Sequence, residues 1–128
     1  MSSIFSKIIS GQLPSYKVAE DKNNIAILDI NPLKEGHTLI IPKKNIDYIF
    51  DLDNDDYARL WLFAKKVADI IYKNIKCKRV AVVVLGLEVP HVHIHLIPIN
   101  SEKELDFSNA RISFSDHDFK NTLIMLTK

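Results

Sequence analysis

His91-Val92-His93-Ile94-His95-Leu96-Ile97-Pro98 is the stretch from which the chain is best read. Histidine and aliphatic residues alternate through it. Side chains on a β-strand point to opposite faces with period two, so three imidazoles share one face and Val92, Ile94 and Leu96 the other. Three of the chain's five histidines stand here. Imidazole serves near neutral pH as nucleophile, proton carrier or metal ligand, so the row is a candidate site and the remaining sequence its scaffold.

Three chemistries are open to such a row. Zinc accepts nitrogen ligands at about 2 Å, and two of these histidines with His37 or a carboxylate form one possible set. His91 and His95 lie about 13 Å apart along an extended strand, too far to share an ion. No CxxC or HExxH pattern accompanies them. In covalent catalysis a neutral imidazole attacks phosphorus while neighbouring rings hold its tautomer and meet the phosphoryl oxygens. The third reading is structural, with histidines filling polar positions on a solvated face.

A chain of 128 residues with 47% apolar content supports one domain and one core, burying about two-thirds of the unfolded surface. Seventeen basic and sixteen acidic residues nearly cancel, which leaves no global field for nucleic acid or an anionic membrane. The single Cys77 excludes an internal disulfide framework, and no apolar run approaches the roughly 20 residues of a membrane span. The N-terminus lacks the apolar stretch of a signal peptide, so a cytoplasmic location is expected.

Outward from the histidines, residues 80–85 are continuously apolar, as in a strand covered on both faces, and are expected to pair antiparallel with the histidine strand, which Pro98 ends. Upstream, residues 55–76 carry Tyr57, Leu60, Trp61, Ala64, Ala68, Ile71 and Ile75 on one helical stripe. Phe63, Val67 and Ile70 widen that stripe beyond what one packed face needs, which predicts a dimer contact there or nearby. The acidic run at its start fails as a calcium loop, because Asp56 and Leu62 stand where Gly and Glu are needed. It reads instead as a charged helix N-terminus.

Nearer the N-terminus, Ser2 or Ser3 caps a short helix that Gly11 stops. Strands are expected over residues 15–19, 25–30 and 37–41. After Pro98, residues 101–109 read as polar loop. Ser115 with Asp118 starts a last helix bearing Phe119, Leu123 and Leu126. Nothing in that tail points to function.

The histidine stretch resembles the His-φ-His-φ-His-φ-φ signature (φ apolar) of the histidine triad, or HIT, proteins. Ser3-Ile4-Phe5-Ser6-Lys7-Ile8-Ile9, Leu13-Pro14-Ser15-Tyr16-Lys17-Val18, Leu28-Asp29-Ile30-Asn31-Pro32 and Gly36-His37-Thr38-Leu39-Ile40-Ile41-Pro42-Lys43 are similar to that family's blocks, in its order. The chain is thereby identified as one HIT domain over residues 1–128, with the resemblance strongest over 3–98 and a C-terminal extension over 99–128. The resemblance implies an α+β fold: a five-stranded antiparallel sheet, a short N-terminal and a long central helix, and a homodimer with an extended sheet. It further implies hydrolysis or transfer at the α-phosphate of a nucleoside phosphoramidate, dinucleoside polyphosphate or related ester, with no cofactor. A purine nucleotide is the expected ligand, since an apolar slot favours the larger base. A nucleotide-binding or signalling module with little turnover is the alternative.

Carried over by position, His93 is the nucleophile and passes through a nucleotidyl-histidine intermediate. His91 and His95 would bind phosphate oxygens and position the ring, and His37 would orient the nucleophilic ring by hydrogen bonding. Asp29 would hold the ribose hydroxyls. Ile4, Phe5, Ile8, Ile27, Leu28, Ile30 and Val89 would form the nucleotide pocket, although Ile8 and Ile27 also read as ordinary core. Attack needs a neutral ring, and an ordinary imidazole titrates near pH ~6.5, so activity is expected to decline below that region.

Two departures stand out. Many bacterial members bind a structural zinc through cysteines near the first helix and a later histidine. Ser3, Ser6 and Asn45 stand at those positions here, so no structural metal is expected. Before the triad, Leu85-Gly86-Leu87-Glu88-Val89-Pro90 replaces a segment whose hydroxyl usually meets phosphate. Glu88 at that position either protonates the leaving group or leaves the contact to backbone amides.

Overall fold

The computed structural model describes residues 3–127. Helix α1 (Ile4–Ile9) precedes strands β1 (Lys17–Glu20), β2 (Asn24–Leu28) and β3 (Thr38–Pro42). Helix α2 (Asn54–Asn74), strands β4 (Arg79–Val83) and β5 (Ile94–Ile99) and helix α3 (Asp116–Leu126) complete the chain, with short 3-10 turns at Ile49–Asp51 and Glu102–Leu105. The five strands form one antiparallel sheet in the order β1-β2-β3-β5-β4, the expected α+β arrangement.

Each helix begins where a side chain meets an orphan backbone N–H. Ser3 accepts from the Ser6 amide, Asp53 from Asp56, and Ser115 from Asp118 in a reciprocal capping box. Ser2, the other candidate cap of α1, lies outside the described residues. Asp55 and Asp56 in the first turn of α2 and Lys73 in its last match the helix dipole.

Period-two alternation sorts the sheet's side chains onto two faces. Ala26, Leu28, Ile40, Ile94 and Leu96 join Leu60, Phe63, Ala64, Val67 and Ile71 of α2 in the main core. On the other face Ile25, Ile27, Leu39 and Ile41 pack with Phe5 of α1. At 21 residues α2 covers its face, whereas six-residue α1 covers only part of the other. The cavity lined by His93 and His95 lies on that partly covered face.

Several boundaries differ from expectation. Residues 80–85 do not form a strand covered on both faces. Strand β4 is the sheet's outer strand, paired only with β5, and Val82 is 49% exposed. A continuous apolar run reads alike whether its cover comes from the same chain or from elsewhere. Of the histidine stretch only residues 94–98 are in the ladder, within β5. Val92 nevertheless joins Ile94 and Leu96 in the main core, so the alternation persists beyond the ladder's start. Pro98 does not end β5, because Leu96 is the last residue paired with β3 and the strand continues against β4. The wide apolar arc of α2 is also used internally: Phe63 and Val67 share a core with Phe119 and Leu126 of α3.

Candidate functional site

The face under α1 encloses a cavity of about 600 Å³. His93 and His95 line it, together with Ile4, Phe5, Ile8 and Ile27 from the expected pocket. Leu28, Asp29, Ile30, Glu88 and Val89 also reach it. Leu28 is a partial exception, because its side chain belongs to the core beneath α2. Its position in β2 puts it out of phase with Ile27. His91 and His37 do not line the cavity; both are buried behind it.

Hydrogen bonds fix the tautomers of His37, His91, His93 and His95, since a carbonyl can only accept and a backbone N–H can only donate. His93 Nδ1 lies 2.8 Å from the carbonyl oxygen of His91, so Nδ1 carries the proton and Nε2 keeps its lone pair. The Leu33 amide donates to His37 Nδ1 at 3.1 Å, which puts the His37 proton on Nε2. That proton is donated to His95 Nδ1 at 2.9 Å, leaving His95 with an N–H at Nε2. The rings of His93 and His95 stand edge to face with centroids 5.1 Å apart. The result is a lone pair and a neutral N–H donor on adjacent cavity-lining rings.

Two expected roles are corrected by this geometry. His37 does not hydrogen-bond the His93 ring; it holds His95 instead. Its position just before β3 places it beside His95, which pairs with Leu39 in the β3–β5 ladder. His91 has no nitrogen free for a phosphate oxygen. Its Nε2 donates to the Pro42 carbonyl at 2.8 Å, and its Nδ1 accepts from the Ser3 hydroxyl at 2.8 Å. Its contribution to His93 is its backbone carbonyl, backed by the edge-on ring of Phe5, whose centroid is 4.9 Å from that of His93.

Burial favours the neutral form of His37, His91 and His95. Desolvation is the main cause that lowers His37 to about 3 and His95 to about 4, with positive neighbours adding to both. Desolvation lowers His91 as well, against the opposing pull of the Pro42 carbonyl. Asp29 moves the other way: desolvation raises its carboxyl above the usual range, while the Asn31 amide and Arg111 act against the shift. One Asp29 oxygen accepts from the Asn31 amide at 2.8 Å, and the other lies 3.5 Å from His37 Nε2.

Neither candidate metal set fits. Asp29, His37 and His95 bring ligand atoms within 4.8 Å of one another. The amide donating to His37 Nδ1, however, leaves a proton rather than a lone pair on the nitrogen facing the others. At the N-terminus Ser3 and Ser6 present neutral hydroxyls, poor zinc ligands, and Ser3 is engaged as helix cap and as donor to His91. Ser3→Ala removes a cap worth about 1 kcal/mol and strands a buried imidazole acceptor at a further ~1–3 kcal/mol. Chemical denaturation is expected to register a loss of about 2–3 kcal/mol; a loss below about 0.5 kcal/mol would mean that neither bond matters.

The C-terminal extension supplies two residues that sequence reasoning passed over. Phe107 packs edge-on against His95, centroids 5.0 Å apart, and Arg111 lines the cavity. Both lie between the last 3-10 turn and α3, in a segment with no periodicity to read. Glu88, which also lines the cavity, is exposed. Among the described residues, no helix is long and apolar enough to cross a membrane.

The family model described as HIT domain matches residues 10–102. An uncharacterized HIT-like protein of Borreliella burgdorferi is 41% identical over 102 residues, covering 74% of this chain and 73% of that one. The adenosine 5'-monophosphoramidase of Saccharomyces cerevisiae is 39% identical over 108 residues, which span 78% of this chain and 64% of the yeast protein. Among solved structures, a Hit-like protein from Bartonella henselae, described as involved in cell-cycle regulation, superposes with a TM-score of 0.85 at 27% identity. The match covers 98% of this chain and 95% of that one.

Proposed function

The chain belongs to the HIT domain family, and from that premise we propose that it is a nucleotide phosphohydrolase or nucleotidyltransferase working through a nucleotidyl-histidine intermediate. The observation that carries this reading is the pair of fixed tautomers: a lone pair on His93 Nε2 beside an N–H on His95 Nε2, both lining one cavity. A phosphoryl oxygen accepting from His95 brings its phosphorus within reach of His93. The His93–phosphorus bond forms as the bond to the leaving amine or phosphate breaks. Water then attacks the same phosphorus, the bond to His93 breaks, and a nucleoside monophosphate is released.

The substrate class is a purine nucleoside phosphoramidate or dinucleoside polyphosphate. Asp29 at one side of the cavity suits the ribose hydroxyls, and Ile4, Phe5, Ile8 and Ile27 suit the base. Similarity to the yeast monophosphoramidase supports cleavage of a phosphorus–nitrogen bond. Glu88 favours a second reading, a nucleotide-binding module with little turnover, since a carboxylate on the rim repels an incoming phosphate. Quenching the protein during reaction with an adenosine phosphoramidate and weighing it separates the two. The enzymatic reading expects an adenylyl adduct on His93; absence of both adduct and product release would leave the binding module.

The active form is a homodimer in this reading. Strand β4 offers one unpaired edge beside exposed Val82 and Leu85, whereas the opposite edge strand β1 carries Lys17 and Glu20. An apolar open edge is a template for pairing, and a charged short one resists it. The domain is expected to act as one unit over residues 1–128, in the cytoplasm.

A further inference from the structure

The charges around the cavity are unbalanced for the ligand just proposed. Its lining contains two carboxylates, Asp29 and Glu88, and among the described residues one permanently cationic side chain, Arg111. Burial holds His95 neutral near pH 7, so that ring donates a hydrogen bond without a charge. A nucleotide phosphate entering this cavity therefore has one full positive charge to meet.

Arg111 is built in, not merely nearby. One guanidinium nitrogen donates to the Asn31 carbonyl at 2.8 Å and another to the Phe107 carbonyl at 3.4 Å. Its central carbon lies 5.4 Å from the Phe107 ring centroid, and that ring sits against His95. The next amide, Ile112, donates to Pro32 at 2.9 Å and ties the segment to the loop that follows Asp29. Two of five N–H donors are thus used for placement, and the rest remain for a ligand. Among the described residues, no carboxylate forms an ion pair with Arg111.

We propose that Arg111 is the anion-holding residue of this cavity, taking a phosphate oxygen of the bound nucleotide from the Asp29 side. The proposal rests on the nucleotide reading above and gives the C-terminal extension a role in it. Guanidinium is suited to the task because it is always charged and presents a fixed fork of donors to phosphate.

Calorimetric binding of adenosine 5'-monophosphate and of uncharged adenosine to the full chain tests this. Arg111→Gln is expected to weaken the monophosphate by about tenfold or more and to leave adenosine within about twofold. Arg111→Lys, which keeps the charge without the fork, is expected to fall between. Equal losses for both ligands would reduce Arg111 to holding the segment in place and overturn the proposal, as would no loss for either. Failure of the wild-type protein to bind either ligand would instead sink the nucleotide reading itself. Adenosine binding by the variant serves as the control for an intact fold.

Discussion

His93→Asn is expected to lower release of nucleoside monophosphate by about 10⁴-fold or more and to abolish the covalent adduct. The size follows from what is removed. The His93 Nε2 lone pair is fixed by a proton held on Nδ1 against the His91 carbonyl, and among the described residues no other ring nitrogen lining the cavity is both unprotonated and unbonded. An asparagine amide can occupy the space and even keep the hydrogen bond, but it has no nucleophilic nitrogen. The fold is not expected to suffer, because His93 retains partial access to the cavity whereas His91 and His37 are more fully enclosed. Steady-state kinetics with a phosphoramidate, paired with a melting curve, gives the answer. A variant within tenfold of wild type would end the covalent route.

Acid should unfold this protein earlier than an ordinary carboxylate inventory would. His37 and His95 titrate at about 3 and about 4 when folded, and near 6.5 when their rings are free in the unfolded chain. Between pH 6.5 and 4 the unfolded chain therefore binds protons that the folded chain refuses. Unfolding becomes easier as pH falls, by about 1.4 kcal/mol per pH unit for each fully titrating ring. The contribution is complete above the unfolded value and is lost as pH falls through the folded ones. Two rings give twice that slope, and His91 adds to it in the same direction. Urea unfolding at about pH 7, 6 and 5 stays largely above the ordinary carboxylate range, and the raised Asp29 carboxyl acts against the slope, so a fall in stability belongs to the imidazoles. A flat profile over that interval would mean that the rings are hydrated.

Much of the site could be read from residues alone because alternation on a strand dictates which side chains share a face. His93, His95, Ile27 and Val92 took their sides as the pattern requires. Long-range pairing is a different matter. That His37 meets His95 and not His93 depends on the β3–β5 register, in which Leu39 lies opposite His95. Nothing local encodes that register. Likewise, the inward turn of His91 follows from two partners, Ser3 and Pro42, that stand 88 and 49 residues away. Phe107 and Arg111 were missed because an irregular segment carries no period, and its place over the site is set by single contacts to Asn31, Pro32 and His95. The outer position of β4 was hidden for the opposite reason: its pattern was clear, but a continuous apolar run reads the same at a sheet's edge as in its middle.

The serine clasp at the start of α1 has a bearing on where such a protein can work. Ser3 joins the helix that walls the cavity to the ring whose carbonyl steadies His93, through hydroxyl and amide bonds alone. Hydroxyls do not climb the oxidation ladder of thiols and do not compete for trace ions. The single cysteine, Cys77, lies in the connection between α2 and β4, away from this clasp. No thiol takes part in the bonds that link Ser3 to His91 and His91 to His93, so oxidation of Cys77 does not break them directly.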